Sequence, residues 1–182
     1  MIIRKARMQD VPALLRLIND YAAMEIMLPR TEFELSEHIR DFKVVELDGA
    51  VSGCGALHFY TLTSGEIRSL AVDPSLKGAG LGRLIVECLE EEAREAGLSV
   101  LFAFTYVPGF FRKLGFKEVD RNLLPLKAWK DCLRCPKFQC CDEIAVLKPL
   151  NGDADLVRLA RETQHFKEPD LVRLPVVNSA KP

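Results

Sequence analysis

The chain alternates between short apolar runs and longer segments in which apolar residues recur every three or four positions. Residues 2–6 have the pattern of a short strand, and residues 11–22 have that of a helix, with Asp10 before them as an N-cap. A second helix is predicted around residues 34–39, and a strand follows over residues 42–47. The first quarter of the chain thus predicts the order β-α-α-β.

A run of antiparallel strands comes next. The Asp-Gly pair at 48–49 is a strong hairpin signal, because both residue types tolerate the positive φ angles of a tight turn. It joins the strand at 42–47 to a second strand at 50–61, and a third follows at 66–72 after a turn near 64–65. Three antiparallel strands are therefore predicted.

A glycine-rich segment, Leu-Lys-Gly-Ala-Gly-Leu-Gly-Arg at 76–83, separates the third strand from a long amphipathic helix predicted over 80–96, which Gly97 closes. Glycines at alternate positions let the backbone approach a ligand closely. Because the helix starts at once, its first N–H groups point at whatever anion lies there. We interpret the segment as a phosphate-binding turn; the alternative is an ordinary surface turn before a helix.

The spacing of these glycines excludes two common nucleotide-binding loops. A P-loop has four residues between its glycines and then Lys-Ser or Lys-Thr, whereas here Lys77 precedes the glycines and no hydroxyl residue follows Gly82. A dinucleotide-binding fingerprint is Gly-x-Gly-x-x-Gly, whereas this turn has Gly-x-Gly-x-Gly. What remains is a turn that binds a pyrophosphate without a metal ion.

The rest of the chain predicts a crossover and a tail. A buried strand at 100–104 follows the long helix, so this strand-helix-strand unit predicts a parallel pair. A short helix at 108–114 and a last strand at 143–147 complete a mixed, twisted sheet flanked by helices. We expect one α/β (α+β) domain over residues 1–150, and a carboxy-terminal extension or tail over residues 151–182.

Composition narrows the possible partners. The 182 residues carry a formal net charge of −1 with acidic and basic residues interspersed, so no strong field attracts nucleic acid or a membrane surface. No apolar run approaches the roughly 20 residues that a membrane helix needs, and the amino terminus lacks an apolar signal region. We expect a cytoplasmic protein that acts on a small molecule, with reduced cysteines; a homodimer is possible.

The order of elements and two motifs resemble the GNAT superfamily of acyltransferases. Its acetyl-CoA loop has the pattern Arg/Gln-x-x-Gly-x-Gly/Ala, and Lys77, Gly80 and Gly82 occupy those positions, with lysine as a departure at the first. The superfamily's Phe-Tyr-x-x-x-Gly-Phe segment is similar to Phe-Phe-Arg-Lys-Leu-Gly-Phe at 110–116. The resemblance covers roughly residues 2–148 and implies the acyl-CoA N-acyltransferase fold, mostly antiparallel, with acetyl-CoA as co-substrate and no metal.

The resemblance also implies where acetyl-CoA binds. The turn would hold the pyrophosphate, and the strand before it would hydrogen-bond the pantetheine arm as a neighbouring strand does. A backbone N–H there can serve the thioester oxygen; the alternative is a core strand without a ligand. The predicted donor-binding residues are Leu70, Ala71, Val72, Lys77, Gly78, Ala79, Gly80, Leu81, Gly82, Arg83, Phe110 and Phe111.

Acetyl transfer to an amine needs a base that removes a proton from the incoming ammonium group. Glu66 is the candidate, because Glu-Ile-x-x-x-Ala-Val looks like the strand that carries the catalytic glutamate in the histone-modifying branch of the superfamily. Strand alternation places Glu66, Arg68 and Leu70 on one face. A structural ion pair between Glu66 and Arg68 is the alternative.

The leaving thiolate needs a proton. The superfamily often uses the tyrosine of its Phe-Tyr motif, but this chain has Phe111 there, and a phenyl ring donates no proton. Tyr106 is the candidate replacement, and the alternatives are water or a thiolate that leaves unaided.

Four further motifs resemble the short amino-acid N-acetyltransferases of arginine biosynthesis, the N-acetylglutamate synthases. They are Leu-Pro-Arg-Thr at 28–31, Gly-Cys-Gly-Ala-Leu-His at 53–58, Glu-Ile-Arg-Ser-Leu-Ala-Val at 66–72 and Leu-Pro-Leu-Lys-Ala-Trp-Lys-Asp-Cys at 124–132. The resemblance implies L-glutamate as the acceptor. Arg30 and Arg68 are inferred to bind it, because arginine pairs bidentately with carboxylates. Other cationic candidates are Arg112, Lys127, Lys130 and Arg134.

Four cysteines lie close together, Cys132, Cys135, Cys140 and Cys141. Cys-x-x-Cys is a zinc half-site, yet adjacent cysteines rarely ligate one ion, so free thiols are favoured over zinc. Three alternatives to a glutamate acetyltransferase stay open: an acetyltransferase for another small amine, a non-catalytic acyl-CoA-binding regulatory domain, and a zinc-dependent interaction module.

Overall fold

One mixed sheet forms the centre of the computed structural model, which describes residues 1–124, 135, 137 and 140–152. Its strands are β1 (Ile2–Lys5), β2 (Phe42–Leu47), β3 (Ala50–Phe59), β4 (Ser64–Val72), β5 (Val100–Thr105), β6 (Lys117–Glu118) and β7 (Ile144–Pro149). The helices are α1 (Val11–Ala23), α2 (Glu32–Glu37), α3 (Leu81–Glu95) and α4 (Pro108–Arg112).

The strands lie in the order β1-β2-β3-β4-β5-β7-β6. Neighbouring strands are antiparallel except β4 and β5, which are parallel and joined by the crossover through α3. The predicted fold class is therefore confirmed, including the three antiparallel strands and the parallel pair.

Apolar side chains cover both faces of the sheet. On one face, Leu14 and Ile18 of α1 pack with Val44 of β2. On the other, Ile85 and Leu89 of α3 pack in a cluster with side chains of β2, β3, β4 and β5. Burial of each such side chain contributes about 1.5–3 kcal/mol to the free energy of folding. The helices on the two faces therefore stabilise the sheet from both sides.

Several predicted details of the turns can be compared with the structure. Asp48 and Gly49 have φ angles of 49° and 79°, as the predicted hairpin turn requires. Asp10 stands at the N-cap position of α1, but its carboxylate makes no cap hydrogen bond there. It instead accepts hydrogen bonds from the side chain of Arg4 and the backbone N–H of Arg7. The predicted capping of α1 by Asp10 is therefore wrong.

Some predictions concern residues outside the described part of the chain. These are the extension from residue 153 onward, most of the motif at 124–132, and the side chains of Lys127, Lys130, Cys132 and Arg134. The division into a domain over 1–150 and a tail over 151–182 stays a prediction.

Candidate active site

β4 carries a bulge near its carboxyl end. Ser69 and Leu70 together lie opposite Gly55 of β3, so β4 has one additional residue at this point. Ser69 has a φ of 52°, in the left-handed region that few residues other than glycine adopt. Because side chains alternate along a strand, one additional residue reverses the faces beyond it.

The bulge corrects one sequence prediction. Leu70 packs with Ile67 on the α3 side of the sheet, whereas Ala71 packs on the α1 side. The expectation that Glu66, Arg68 and Leu70 share a face is therefore wrong for Leu70, since the alternation is reversed between Arg68 and Leu70.

The parallel strands β4 and β5 separate just before this bulge. They pair at Ser64–Val100, Gly65–Leu101 and Glu66–Phe102, and the described pairing ends there. A cavity of about 300 Å³ lies where they part. Residues 66–70 line one side of it and residues 104–107 line the other.

The cavity brings together predicted residues from distant parts of the chain. Its lining contains Arg30, Glu66, Arg68, Leu70, Lys77, Tyr106 and Phe111. The other predicted donor-binding residues lie outside this lining, further along β4, on the glycine-rich turn and at the start of α4. They are Ala71, Val72, Gly78, Ala79, Gly80, Leu81, Gly82, Arg83 and Phe110.

Glu66 occupies the closed end of the gap between the strands. It is fully buried, and it lies between His58 of β3 and Phe102 of β5 in the sheet register. The Nδ1 atom of His58 is 2.9 Å from a carboxylate oxygen of Asp41. Glu66 is thus a carboxylate held within the sheet that borders the cavity, a position from which a base can act through water.

Arg30, which also lines the cavity, is held by its backbone. The side-chain amide of Asn19 donates to the carbonyl of Arg30 and accepts from its N–H, both at 2.9 Å. Arg30 and Arg68 also line a second, water-sized cavity beside the first. The connection between α1 and α2 is therefore anchored at the point where Arg30 reaches the cavity.

The glycine-rich turn has the backbone that an anion site requires. Gly78 and Gly80 have φ angles of 87° and 83°, which glycine adopts without strain. The N–H of Leu84 donates to the carbonyl of Gly80 at 3.1 Å. The N–H groups of residues 81–83 precede this bond, so helix geometry leaves them for an external acceptor. The side chain of Arg83 instead pairs with Glu87 at 2.7 Å.

Two phenylalanines connect the turn with the cavity. The rings of Phe110 and Phe111 pack edge to face with centroids 5.2 Å apart. Phe110 lies beside Gly82, where a Cβ would be 3.5 Å from the ring. Phe111 is buried against Phe116 and borders the cavity, so it supplies an apolar wall.

Tyr106 lies beside acidic groups. Burial raises the pKa of its hydroxyl, and the carboxylates of Glu143 and Asp142 raise that pKa further. The hydroxyl therefore stays protonated and can donate a hydrogen bond, but it is a weaker acid than an ordinary tyrosine. An ordinary thiol has a pKa of about 8.5, so complete proton transfer from Tyr106 to a thiolate is energetically uphill.

Several residues of the site were missed in the sequence analysis, and three of them are polar residues of α1 or of the segment before β7. Glu143 and Tyr21 line the cavity, and Asn19 anchors Arg30. Tyr21 and Asn19 carry no signal beyond the helical pattern of α1, and Glu143 has only the signal of a strand end. Only the tertiary fold brings these three residues close to the other residues of the site.

Other candidates lie elsewhere. Arg112 pairs with Glu118 at 3.4 Å and does not line the cavity. Among the described residues, no three His, Cys, Asp or Glu side chains are grouped so as to hold a metal ion. Within the same part of the chain, no helix is long and apolar enough to cross a membrane.

Comparison with known proteins identifies the family. Residues 11–116 match the acetyltransferase (GNAT) family. The chain belongs to the GNAT family. The matched region begins with α1 and includes Glu66, the bulge, the glycine-rich turn and both phenylalanines, so it contains most of the residues described above.

Two relatives of this GNAT protein cover most of its length. An uncharacterized N-acetyltransferase of Chlorobaculum tepidum is 45% identical over 148 residues, which are 81% of this chain and 96% of that protein. An amino-acid acetyltransferase of Mycobacterium tuberculosis is 41% identical over 136 residues, 73% of this chain and 78% of that protein.

Solved structures give the same relationship. A Mycobacterium tuberculosis protein in complex with CoA and NLQ has a TM-score of 0.71 and 32% identity, covering 82% of this chain and 99% of that one. The N-acetylglutamate synthase of Neisseria gonorrhoeae, complexed with coenzyme A and N-acetyl-glutamate, has a TM-score of 0.76 and 29% identity, covering 83% of this chain but 35% of that one. The protein is thus a GNAT N-acetyltransferase related to amino-acid acetyltransferases.

Proposed function

We propose that the protein transfers the acetyl group of acetyl-CoA to the α-amino group of L-glutamate, giving N-acetyl-L-glutamate for arginine biosynthesis. The observation that carries the proposal is the single cavity lined by Glu66, Arg30, Arg68 and Lys77. Similarity to an amino-acid acetyltransferase, and to an N-acetylglutamate synthase complexed with coenzyme A and N-acetyl-glutamate, supports it.

The charges of the cavity favour an acidic acceptor. Arg30, Arg68 and Lys77 line it together with the carboxylates of Glu66 and Glu143. Lys77 belongs to the proposed donor turn, and Arg30 and Arg68 would bind the two carboxylates of glutamate. Each hydrogen bond to a charged group contributes about 1.5–3 kcal/mol, so an acceptor that lacks one carboxylate should bind at least about tenfold more weakly.

The donor would lie along β4 and the turn. Beyond Glu66 the described pairing of β4 with β5 ends, so this stretch of strand edge can pair with the amides of the pantetheine arm. The N–H groups of residues 81–83 would bind the pyrophosphate. This arrangement places the thioester beside the bulge, where a backbone N–H can stabilise the developing oxyanion.

Glu66 would act as the base through one water molecule and remove a proton from the ammonium group of glutamate. The neutral amine then attacks the thioester carbonyl carbon, so a C–N bond forms and the C–S bond breaks. The first proton ends on Glu66, the second proton, which the nitrogen loses as the amide forms, passes to solvent water, and CoA leaves as a thiolate. Tyr106 can donate a hydrogen bond to that thiolate, which takes its proton from solvent.

The acceptor site is tested with Arg30→Ala and Arg68→Ala, and Arg16→Ala, an exposed change on α1 outside the cavity lining, is the control. Thiol release from acetyl-CoA should show kcat/KM for L-glutamate at least tenfold lower in the first two variants. Calorimetry should show CoA affinity unchanged in all three. Parental kcat/KM in both cavity variants would reject this acceptor site.

A further inference from the structure

Tyr21 contacts two separate parts of the candidate donor site. It lies near the end of α1 and is 7% exposed. Its hydroxyl donates a hydrogen bond of 2.6 Å to the backbone oxygen of Val72, the last residue of β4. The Nζ atom of Lys77 lies 5.0 Å from the centroid of its ring. One side chain therefore joins α1 to the strand edge and to the glycine-rich turn.

The hydrogen bond to Val72 fixes the backbone where β4 ends. After Val72 the chain passes through Asp73 and a single 3₁₀ turn, Pro74–Leu76, to reach Lys77. A buried tyrosine hydroxyl requires a polar partner, and here that partner is the carbonyl of the strand end. The direction of this carbonyl, and with it the strand edge beside the turn, is therefore set before a ligand arrives.

The ring of Tyr21 acts on Lys77. A lysine side chain has about 2 kcal/mol of rotamer entropy, part of which is lost when its ammonium binds an anion. An ammonium within about 6 Å of a tyrosine centroid is attracted to the ring. Packing over Tyr21 therefore holds the ammonium near the turn and reduces the rotamer entropy that Lys77 loses when it binds an anion.

We propose that Tyr21 is a positioning residue for the acyl donor, which acts through the carbonyl of Val72 and the ammonium of Lys77. It does not touch the reacting atoms. The inference rests on the proposed function in one respect, since it assumes that the turn beside Lys77 holds the pyrophosphate of acetyl-CoA.

Two substitutions separate the two contacts. Tyr21→Phe keeps the ring and removes the hydrogen bond, whereas Tyr21→Leu removes both contacts. The donors are acetyl-CoA and S-acetylpantetheine, which has no pyrophosphate. Tyr21→Phe should raise KM for both donors about three- to tenfold, while kcat and KM for L-glutamate stay within twofold of the parent. Tyr60→Phe, outside the cavity lining, is the matched control.

Tyr21→Leu should add a further three- to fivefold rise in KM with acetyl-CoA but none with S-acetylpantetheine, since S-acetylpantetheine lacks the pyrophosphate that Lys77 is proposed to bind. In a Lys77→Gln background this additional effect should disappear, because the two residues act together. Two results would overturn the proposal. One is a parental KM for both donors in both variants. The other is a KM that rises from Tyr21→Phe to Tyr21→Leu by the same factor for acetyl-CoA and for S-acetylpantetheine.

The affinities of CoA and pantetheine, measured by calorimetry without an acceptor, keep this test independent of the choice of glutamate. The parent should bind CoA more tightly than pantetheine, and Tyr21→Leu should reduce that difference three- to fivefold. A difference that is unchanged in Tyr21→Leu contradicts the role of Tyr21. A parent that is active only on another amine contradicts the proposed acceptor and leaves the role of Tyr21 supported.

Discussion

Glu66 is the residue on which the proposed chemistry depends. Its carboxylate is buried where β4 and β5 part, and it borders the cavity that also contains Arg30 and Lys77. In the proposed reaction a base in this position would act on the acceptor amine through one water molecule, and the sheet holds its backbone on both sides. The role was predicted from a short motif, but the separation of the strands is what gives the side chain access to a ligand.

Glu66→Gln should lower kcat by 10² to 10⁴, the contribution that general bases commonly make, because the amide cannot accept the proton. CoA affinity should be unchanged, and Glu37→Gln, exposed on α2, is the control. The deficit should shrink at high pH, where the amine is already neutral. A variant within threefold of the parental kcat at pH 7 would show that another group acts as the base.

Asp10 contributes to stability through the junction of β1, β2 and α1. Arg4 donates to Asp10 at 2.7 Å and 2.9 Å and also bonds Glu46. The hydrogen bonds from Arg4 hold the pKa of Asp10 below its ordinary value of 3.8. Because the folded-state pKa is lowered, this stabilisation is complete above pH 3.8 and is lost as the pH falls through the folded-state pKa.

Asp10→Asn should therefore destabilise the protein by about 1–3 kcal/mol at pH 7 and by less near pH 2. Urea unfolding at both pH values measures the two differences, and Asp20→Asn, exposed on the same helix, is the control. If Asp10→Asn lowered the free energy of unfolding equally at the two pH values, the charge of Asp10 would not contribute to stability.

At the scale of elements, α3 packs unusually close to β3. A Cβ on Gly55 would lie 2.7 Å from Cγ2 of Ile85 and 3.2 Å from Cδ1 of Leu89. Gly55→Ala should therefore cost about 1–3 kcal/mol through overpacking, although alanine restricts the unfolded chain more than glycine does.

Gly109→Ala is the matched control for this change. Its nearest contact would be a guanidinium nitrogen of Arg112 at 3.6 Å, so its stability should be unchanged or slightly higher. Chemical denaturation of both variants gives the comparison. If Gly55→Ala were as stable as the parent, the close approach of α3 to β3 would not be a constraint.

The elements themselves were largely predictable, and their local irregularities were not. Alternating and helical patterns predicted β2 and α1 to within a residue, because each buries one continuous face. The bulge at Ser69 was missed, because residues 70–72 beyond it are all apolar and therefore show no change in the alternation of the strand. β6 has two residues and carries no pattern.

The site was predicted unevenly for a related reason. The glycine-rich turn could be predicted because a backbone turn is encoded locally, and its role in donor binding stays a prediction. Tyr21 and Glu143 were missed because their place depends on which elements the fold brings together. Local chemistry can be predicted from a segment, whereas a cavity wall built from α1, β4 and the residue before β7 cannot.

At the scale of the whole molecule, the cavity between β4 and β5 is the place where we propose that both substrates meet. The cavity lies where β4 and β5 separate, Ser69 of the bulge lines it, and the crossover helix begins in the glycine-rich turn. The connection between α1 and α2 contributes Arg30 to the cavity lining. In the proposed function these parts would form a ternary complex in which the amine attacks the thioester directly.

The most direct test is a comparison of amino acids as acceptors. Thiol release from acetyl-CoA is measured with each of the common amino acids in turn, and the acetylated product is identified by mass spectrometry. We predict the highest kcat/KM for L-glutamate, at least tenfold above L-glutamine, which has the same shape but lacks the second carboxylate. Equal values for the two, or a clear preference for another amine, would contradict the account.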